Sequence, residues 1–241
     1  MPAATPMPLV LLPGLLCDRA VWDGVPGFPD KSAWIVPFYA DQRKIGAMAQ
    51  IVLEAAPPRF ALASHSMGGR VALEILRVAP GRVERVALLD TGFLPRPAGE
   101  AGKAERAGRM ALLDVAYTRG MRAMGRQWLQ RMVHPSRLEE TPLIDSMLDM
   151  IERQTPAMFA AQIEALLDRP DASDVLAHIE CPTLILCGRD DAWSPLSTHH
   201  AMHVAIPGSC LVAIPDCGHM STMERPAAVG AALRDWLSRT R

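Results

Sequence analysis

The stretch Phe60-Ala-Leu-Ala-Ser-His-Ser66-Met-Gly-Gly-Arg-Val-Ala-Leu-Glu74 reads as a buried strand, a sharp turn and the start of a helix. Ser66 stands at the turn, where a strained backbone lifts a serine hydroxyl clear of the sheet. The flanking residues must be small because strand and helix crowd there. Gly68 meets that need, while Ser64 stands where the Gly-x-Ser-x-Gly pattern has glycine. The helix beginning near Met67 points free N–H groups at the site, which favours an oxyanion. The stretch therefore predicts Ser66 as a nucleophile, in preference to the capping role common for serine at such junctions.

Short apolar runs alternate with amphipathic segments on both sides of this stretch. The runs are apolar at consecutive positions, as in parallel strands that are buried on both faces. This alternation predicts an α/β fold with a mostly parallel central sheet flanked by helices. The predicted strands are 9–12, 34–36, 60–63, 83–89, 183–187 and 211–214, and the predicted helices are 46–56, 68–79, 195–206 and 226–237.

One long segment, residues 95–177, breaks the alternation with Met-, Leu- and Arg-rich amphipathic stretches separated by prolines. We interpret it as a helical cap inserted after the strand that ends near Asp90. Residues 1–94 and 178–241 then form the α/β core. Methionines supply an adaptable apolar lining, but apolar residues at helical spacing are more often packing core, and both readings stay open here. The methionines concerned are Met110, Met121, Met124, Met132, Met147, Met150 and Met158.

Two loops late in the chain supply a base and an acid for a serine nucleophile. Asp191 lies in the loop Gly188-Arg-Asp-Asp-Ala-Trp-Ser-Pro195, which follows one predicted strand. His219 lies in the loop that follows the next strand. In parallel α/β sheets, functional groups gather outside the carboxyl ends of the strands. Ser66, Asp191 and His219 are therefore expected to meet at one edge of the sheet.

The identity of the acid is the least determined of the three. Asp191 fits the position three residues after Gly188, but Asp190 is adjacent. Asp90 ends its own predicted strand and would reach the same edge of the sheet. The two that do not contact the base would be loop carboxylates or helix caps.

Together these features resemble the α/β-hydrolase superfamily, in particular serine esterases with a helical cap. The resemblance rests on the order Ser, Asp, His, on the strand–turn–helix around Ser66, and on the Gly-x-x-Asp-x-x-x-Pro and Gly-His-x-x-x-x-Glu-x-Pro loops. It covers nearly the whole chain. Only eight residues precede the first predicted strand, so the family's first hairpin is expected to be missing. The stretch 38–43 is also shorter than the glycine-rich loop that often follows the second strand in this family.

The resemblance also implies an oxyanion hole. Leu11-Leu-Pro-Gly-Leu-Leu16 resembles the family's His-Gly loop, with Pro13 in the histidine position. By this likeness, the backbone N–H groups of Leu15 and Met67 are the two donors. The change at Pro13 affects a supporting side chain and neither donor.

Composition excludes several other classes of protein. With 241 residues, a formal net charge of −1 and 49% hydrophobic residues, the chain is neither disordered nor basic enough to predict a nucleic-acid or anionic-membrane partner. No run approaches the roughly 20 apolar residues of a membrane helix. An odd number of cysteines without paired spacing predicts thiols in a reducing cytoplasm, namely Cys17, Cys181, Cys187, Cys210 and Cys217.

No metal or cofactor is expected. His199, His200 and His203 are close in sequence, but no Cys or carboxylate completes a ligand set, and their helix looks surface-facing. The predicted function is a cofactor-free serine hydrolase that cleaves a carboxylic ester of a small or medium apolar molecule. Trp193 and Trp128 are candidate substrate contacts.

Other functions stay open at this point. Thioester, lactone or carbon–carbon bond hydrolysis and perhydrolysis use the same triad. A non-catalytic protein that binds a small ligand is the alternative of another class. The sequence does not specify an oligomeric state.

Overall fold

A six-stranded parallel sheet forms the centre of the protein. The computed structural model describes residues 7–27, 33–35 and 41–239. The strand order is β2-β1-β3-β4-β5-β6, and every neighbouring pair is parallel. The α/β fold with a parallel sheet flanked by helices is thereby confirmed. The strands are β1 (Leu9–Leu12), β2 (Ala33–Ile35), β3 (Phe60–His65), β4 (Val83–Leu89), β5 (Thr183–Gly188) and β6 (Cys210–Ile214).

The strand predictions differ from the structure only at their ends. β3 continues to His65 and β5 continues to Gly188, because these residues still pair in register with Leu89 and Ile214. β2 begins one residue earlier than predicted, while the predicted end of that strand, Val36, lies outside the described residues. So do residues 1–6 and 38–40, on which the predictions of a missing hairpin and of a short loop depend.

Among the residues that the structure describes, six α-helices belong to the sheet-forming part of the chain. Those predicted from periodicity are found within a residue of their expected bounds, and two further helices have only four residues each. All six residues of β3 are buried, as expected for a strand covered on both faces. The helices are α1 (Ala20–Asp23), α2 (Ile45–Ala55), α3 (Met67–Val78), α9 (Leu196–Ala205), α10 (Ser221–Glu224) and α11 (Pro226–Ser238).

Between β4 and β5 the chain is helical, as predicted for the cap. Helix α4 packs against α5 and α7, and α5 packs against α6. Five of the seven cap methionines are buried core residues, and of all seven only Met132 lines the cavity beside Ser66. The division into core and cap domains at residues 95 and 177 stays a prediction. These helices are α4 (Gly99–Arg119), α5 (Met121–Leu129), α6 (Thr141–Glu152), α7 (Pro156–Leu167) and α8 (Ser173–Leu176).

The parallel arrangement determines where functional groups can meet. β1, β3, β4, β5 and β6 all end at the same edge of the sheet, so the residues that follow them converge there. Within the described residues, no helix is both long enough and apolar enough to cross a bilayer.

Candidate active site

Ser66 occupies a strained turn between β3 and α3. Its backbone angles are φ 53° and ψ −115°, a region that non-glycine residues rarely adopt. The Ser66 N–H donates to the Leu89 carbonyl at 2.9 Å, and the Thr91 hydroxyl donates to the Ser66 carbonyl at 2.7 Å. A Cβ at Gly68 would lie 2.6 Å from the Leu12 carbonyl oxygen, so a larger residue is excluded there. Neighbouring strands on both sides therefore hold the turn in place.

Ser64 replaces the usual glycine without leaving a polar group unpaired. Its hydroxyl donates to the Ala87 carbonyl at 2.8 Å. The extra hydroxyl is thus hydrogen-bonded to β4, and the turn keeps its shape.

Ser66, His219 and Asp191 form one continuous hydrogen-bonded chain. Ser66 Oγ lies 2.8 Å from His219 Nε2, and His219 Nδ1 lies 2.7 Å from Asp191 Oδ2. The other carboxylate oxygen, Oδ1, accepts the N–H groups of Trp193 and Ser194 at 2.7 and 2.8 Å. The carboxylate is fixed on both sides, so the orientation of the imidazole is fixed as well.

Charge and burial both shift the pKa values of His219 and Asp191. Burial opposes the charged form of His219, but the Asp191 carboxylate outweighs it, so the pKa of His219 is raised above its ordinary value. Burial likewise opposes the charge on Asp191, but His219 and the two N–H donors hold the pKa of Asp191 below its ordinary value. Asp191 therefore stays an anion beside the imidazole.

The structure distinguishes the three candidate acids. Asp191 is the carboxylate bonded to His219, whereas Asp190 is exposed and faces His134 at 3.7 Å. Asp90 is buried but contacts neighbouring loops: it accepts the Gly188 N–H at 3.0 Å and the Ser221 hydroxyl.

Asp90 therefore connects the end of β4 to the loops that carry Asp191 and His219. Burial, and after it the charge of Asp191, raise the pKa of Asp90 well above its ordinary value. A carboxyl group that takes up a proton so readily is suited to hold loops together rather than to orient the imidazole as an anion.

Glu224 holds the loop that carries His219. Its buried carboxylate accepts backbone N–H groups from both sides of that histidine and from the cap segment after α5. The His219 N–H donates to the Met132 carbonyl at 2.7 Å. His219 and its loop are thus held by the segment after α5 as well as by Glu224. The N–H groups on Glu224 are those of Gly218, Met220 and His134.

The predicted oxyanion donors lie on either side of Ser66. Met67 opens α3, where an N–H group has no partner within the helix. Leu15 lies in the turn after β1, and the hydrogen bonds found for residues 7–27, 33–35 and 41–239 include none donated by its N–H. Leu15 and Met67 both line the cavity at Ser66. Two free N–H groups thus border the space beside the serine hydroxyl.

A cap residue that sequence reasoning missed fixes this turn. Gln162 of α7 accepts the N–H of Leu16 at 3.0 Å, and Leu16 itself has a φ of 60°. Both side chains are buried. The only sequence signal is a glutamine in an otherwise apolar helix stripe, which does not identify its partner.

Two histidines near the site take structural positions. His65 Nε2 donates to the His219 carbonyl at 3.0 Å, and burial, followed by the charge of His219, lowers the pKa of His65 to about 3. His199 was predicted on a surface-facing helix, which is wrong for this residue. It is fully buried, and its Nε2 accepts the Thr91 N–H at 3.0 Å. Its ring orders the turn after β4 and is not available as a ligand.

The cavity beside Ser66 measures about 840 Å³, within the usual range for small-molecule sites. Trp193 and Trp128, the predicted contacts, both line it. Apolar side chains from the cap line it as well, in keeping with an apolar substrate segment. Charged residues also line the cavity, which the composition did not predict. They are Arg70, Glu105, Arg109, Arg131 and Arg169.

Comparisons with known proteins match the chain along most of its length. A family model described as "Alpha/beta hydrolase family" matches residues 9–232. The pimeloyl-(acyl-carrier protein) methyl ester esterase of Nitrosomonas europaea is 24% identical over 233 residues, which is 90% of each chain.

Two solved structures extend this likeness. A thermophilic esterase from Thermogutta terrifontis is 28% identical, with a TM-score of 0.79, 97% of this chain and 90% of that chain being covered. The enol-lactonase from Burkholderia xenovorans LB400 is 21% identical, with a TM-score of 0.83 and coverage of 99% and 94%. The latter likeness concerns the fold alone.

Proposed function

Because the chain belongs to the alpha/beta hydrolase family, we propose that it is a cofactor-free serine hydrolase that cleaves a carboxylic ester through an acyl-enzyme. The hydrogen-bonded chain from the Ser66 hydroxyl through His219 to Asp191 is the observation that carries the proposal. Nucleophile, base and orienting acid in this order are what ester cleavage by a serine requires. The esterases to which the chain is similar support an ester as the bond cleaved.

Acylation begins when Ser66 Oγ attacks the ester carbonyl carbon and His219 Nε2 takes the hydroxyl proton. Negative charge then develops on the carbonyl oxygen, and the N–H groups of Leu15 and Met67 donate to it. Asp191 stabilises the imidazolium while the tetrahedral intermediate exists. When that intermediate collapses, the carbon–oxygen bond to the alcohol breaks, and the alcohol leaves with the proton from His219.

Deacylation repeats these steps with water as the nucleophile. His219, again neutral, removes a proton from water as its oxygen attacks the acyl carbon. The bond between Ser66 Oγ and the acyl carbon then breaks, the carboxylic acid leaves, and Ser66 Oγ receives the proton from His219. The chain supplies each group that the cycle needs, so a cofactor has no assigned step.

The same residues serve related reactions, and the choice of bond depends on the cavity. Thioester, lactone or carbon–carbon bond hydrolysis remain alternatives, and the likeness to an enol-lactonase is the reason to test a lactone. A protein that only binds a small ligand has no need for three correctly bonded side chains. That geometry favours the enzyme over the binder.

The proposed partner is a small molecule, with Trp193 and Trp128 among its contacts. A cavity of about 840 Å³ accommodates such a ligand. The cytoplasm is the proposed location. Burial raises the pKa of Cys17 and Cys187 to about 12, so these cysteines behave as buried thiols rather than as reactive groups.

The proposal is tested with p-nitrophenyl esters of increasing acyl length. Wild type is compared with Ser66→Ala and with Ser64→Ala, which removes a hydroxyl two residues away. Ser66→Ala should lower kcat by about 10⁶-fold, because the nucleophile is lost. Ser64→Ala should stay within about ten-fold of wild type, because it loses one ordinary hydrogen bond.

The acyl length with the highest kcat/KM then measures the usable depth of the cavity. Turnover by Ser66→Ala at the wild-type rate would refute the nucleophile. Absence of turnover by wild type on esters, thioesters and lactones would favour the binding protein.

A further inference from the structure

Four arginines and one glutamate line the cavity at Ser66. Arg70 comes from α3, Arg109 and Glu105 from α4, while Arg131 and Arg169 follow α5 and α7. Glu105 is the only acidic residue in the described lining. The cavity therefore carries a marked excess of positive charge, although the chain as a whole is almost neutral.

The single carboxylate is already fully used. Both oxygens of Glu105 accept from Arg169, at 2.7 and 2.9 Å, and Arg109 donates to one of them at 3.0 Å. The Glu105 side chain is 16% exposed. Its oxygens are bonded directly to two guanidinium groups, and no direct contact joins them to Arg70.

Arg70 lacks such a partner. Its Nη1 donates to the Leu94 carbonyl at 2.8 Å, and Nε of Arg169 donates to the same oxygen at 3.3 Å. Within the described parts of the chain, no carboxylate lies at ion-pair distance from Arg70. Arg169 already has Glu105 as its anion, whereas Arg70 shares with that second cation only the neutral carbonyl of Leu94.

The electrostatics of Arg70 agree with this geometry. Burial, followed by the neighbouring charge of Arg169, lowers the pKa of Arg70 to about 9. Glu105 opposes this shift, but from beyond ion-pair distance, so within the described residues Arg70 has a neutral hydrogen-bond partner and no ion-pair partner.

Arg131 adds a second positive group at the opening of the cavity. Its side chain is exposed, and its guanidinium carbon lies 5.6 Å from the centre of the Trp193 ring. Arg109 lies 5.0 Å from the same ring. Cations over an aromatic face hold their place without a carboxylate and remain able to attract an anion.

Arg70 is well placed to select a substrate. It lies four residues after Ser66 on α3, about one helical turn or ~6 Å along the axis, so both residues border the same face of the cavity. Apolar side chains of the cap line the same cavity, including Leu112, Val115 and Phe159. A ligand that fills this space is apolar in the middle and negative at one end.

We propose that the ester cleaved at Ser66 carries a carboxylate away from the scissile carbonyl, and that Arg70 binds this group. Within the described residues Arg70 has no carboxylate at ion-pair distance, and its planar guanidinium can present two N–H groups to the two oxygens of a carboxylate. Arg131 attracts the anion at the entrance. This inference rests on the proposed function, because it names the substrate class of the same site.

The test uses pairs of esters that differ only in the distal charge. One pair is mono-p-nitrophenyl adipate, which has a free carboxylate, and methyl p-nitrophenyl adipate, in which that carboxylate is replaced by a methyl ester. The other pair carries the charge on the alcohol: the butyrate ester of 4-hydroxyphenylacetic acid, and that of its amide. Wild type should prefer the charged member of at least one pair by about ten-fold or more in kcat/KM, the effect of one charge-assisted hydrogen bond.

Arg70→Gln should remove most of this preference by lowering kcat/KM for the charged ester about ten-fold more than for its neutral partner, whereas Arg70→Lys should keep part of it. Arg131→Gln, a change at an exposed side chain, should lower the preference about two- to five-fold. Arg106→Gln is the matched control, because Arg106 lies on α4 but does not line this cavity. If Arg70→Gln does not fold, Arg131→Gln and the inhibition assays on wild type test whether the cavity binds a distal carboxylate.

In those assays adipate should inhibit wild type more strongly than adipamide or inorganic phosphate at the same concentration. Equal turnover of charged and neutral esters in both pairs, without selective inhibition by adipate, would overturn the inference and leave the hydrolase proposal standing. Stronger inhibition by phosphate would also overturn it, in favour of a phosphate ligand. Absence of turnover on every ester, charged or neutral, would count against the proposed function itself.

Discussion

The loops at the sheet edge and the cap wall of the cavity are built on different principles. At the sheet edge, buried carboxylates of Asp191, Glu224 and Asp90 accept backbone N–H groups, so the loops are held by main-chain hydrogen bonds. In the cap wall, Arg109, Arg169 and Glu105 hold one another through side chains from separate segments. By our proposal, the first arrangement holds the reacting atoms in place, and the second sets the charge that a substrate meets.

This difference leads to a simple expectation. Changes at the sheet edge should slow the turnover of all substrates, because they disturb the reacting groups. Changes in the cap wall should depend on the substrate or affect stability alone. The following variants test that division in order of decreasing effect.

The largest effect is expected from Asp191→Asn. An amide cannot hold His219 in the required tautomer as an anion does, so kcat should fall by about 10⁴-fold on every ester. Asp90→Asn, which changes the other buried carboxyl group of this edge, should cost no more than about ten-fold. Steady-state kinetics on two esters of different length measure both. An equal loss in the two variants would show that Asp90 shares the role of Asp191.

A smaller and more revealing effect is expected from Gln162→Ala. Gln162 belongs to the cap but accepts the N–H of Leu16, next to the proposed oxyanion donor. Losing that contact should loosen the turn and lower kcat by about ten- to a hundred-fold for all esters, with little change in KM. Gln50→Ala, on the exposed face of α2, is the control. A loss confined to long substrates would place Gln162 with the cap wall instead.

The pH profile tests the electrostatics of the sheet edge. His219 must be neutral to accept a proton, and Asp191 raises the pKa of His219. The acid limb of kcat/KM should therefore lie above the ordinary histidine value of about 6.5, with a ten-fold fall for each pH unit below it. In Asp191→Asn the limb should move to lower pH. A limb that stays in place in this variant would mean that another group titrates.

The smallest effect is expected from Glu105→Gln, which removes the anion of the cap wall. Arg109 and Arg169 then lose their ion pair, and the free energy of unfolding at pH 7 should fall by about 1–3 kcal/mol. Urea denaturation measures this, with Glu100→Gln at the exposed start of α4 as the control.

The loss of unfolding free energy in Glu105→Gln should become smaller at low pH. The two arginines outweigh burial and lower the pKa of Glu105 in the folded state, so its contribution is complete above the ordinary glutamate value. It should disappear as the pH falls through the lowered pKa. A difference from wild type that persists in acid would point to packing rather than charge.

Much of the fold and of the site was readable from local patterns. The strand from 9 to 12 has the predicted bounds because a buried parallel strand is apolar at every position. The strand from 83 to 89 also has the predicted bounds, although the partly buried Glu84 and Arg85 interrupt its apolar run. Ser66, His219 and Asp191 each lie within a few residues of a strand's carboxyl end. Their meeting therefore followed from the parallel order of the strands.

The predictions that were wrong or incomplete involve contacts between distant segments. His199 was expected at the surface because its neighbours are polar, yet it is buried against the turn after β4. The positive charge of the cavity was not predicted, because arginines spread along a sequence are usually exposed to solvent. Whether their side chains point inward depends on how the cap helices pack.

The sequence by itself determined the kind of fold, the order of its elements and the placing of Ser66 and His219 at one edge of the sheet, because each follows from a short pattern read along the backbone. Only the tertiary structure decided that Asp191 rather than Asp90 contacts His219, and that no carboxylate of the described residues pairs with Arg70. Both outcomes depend on distances between segments far apart in the chain. Such distances are set by packing, in which many weak contacts act together, and no local pattern records them.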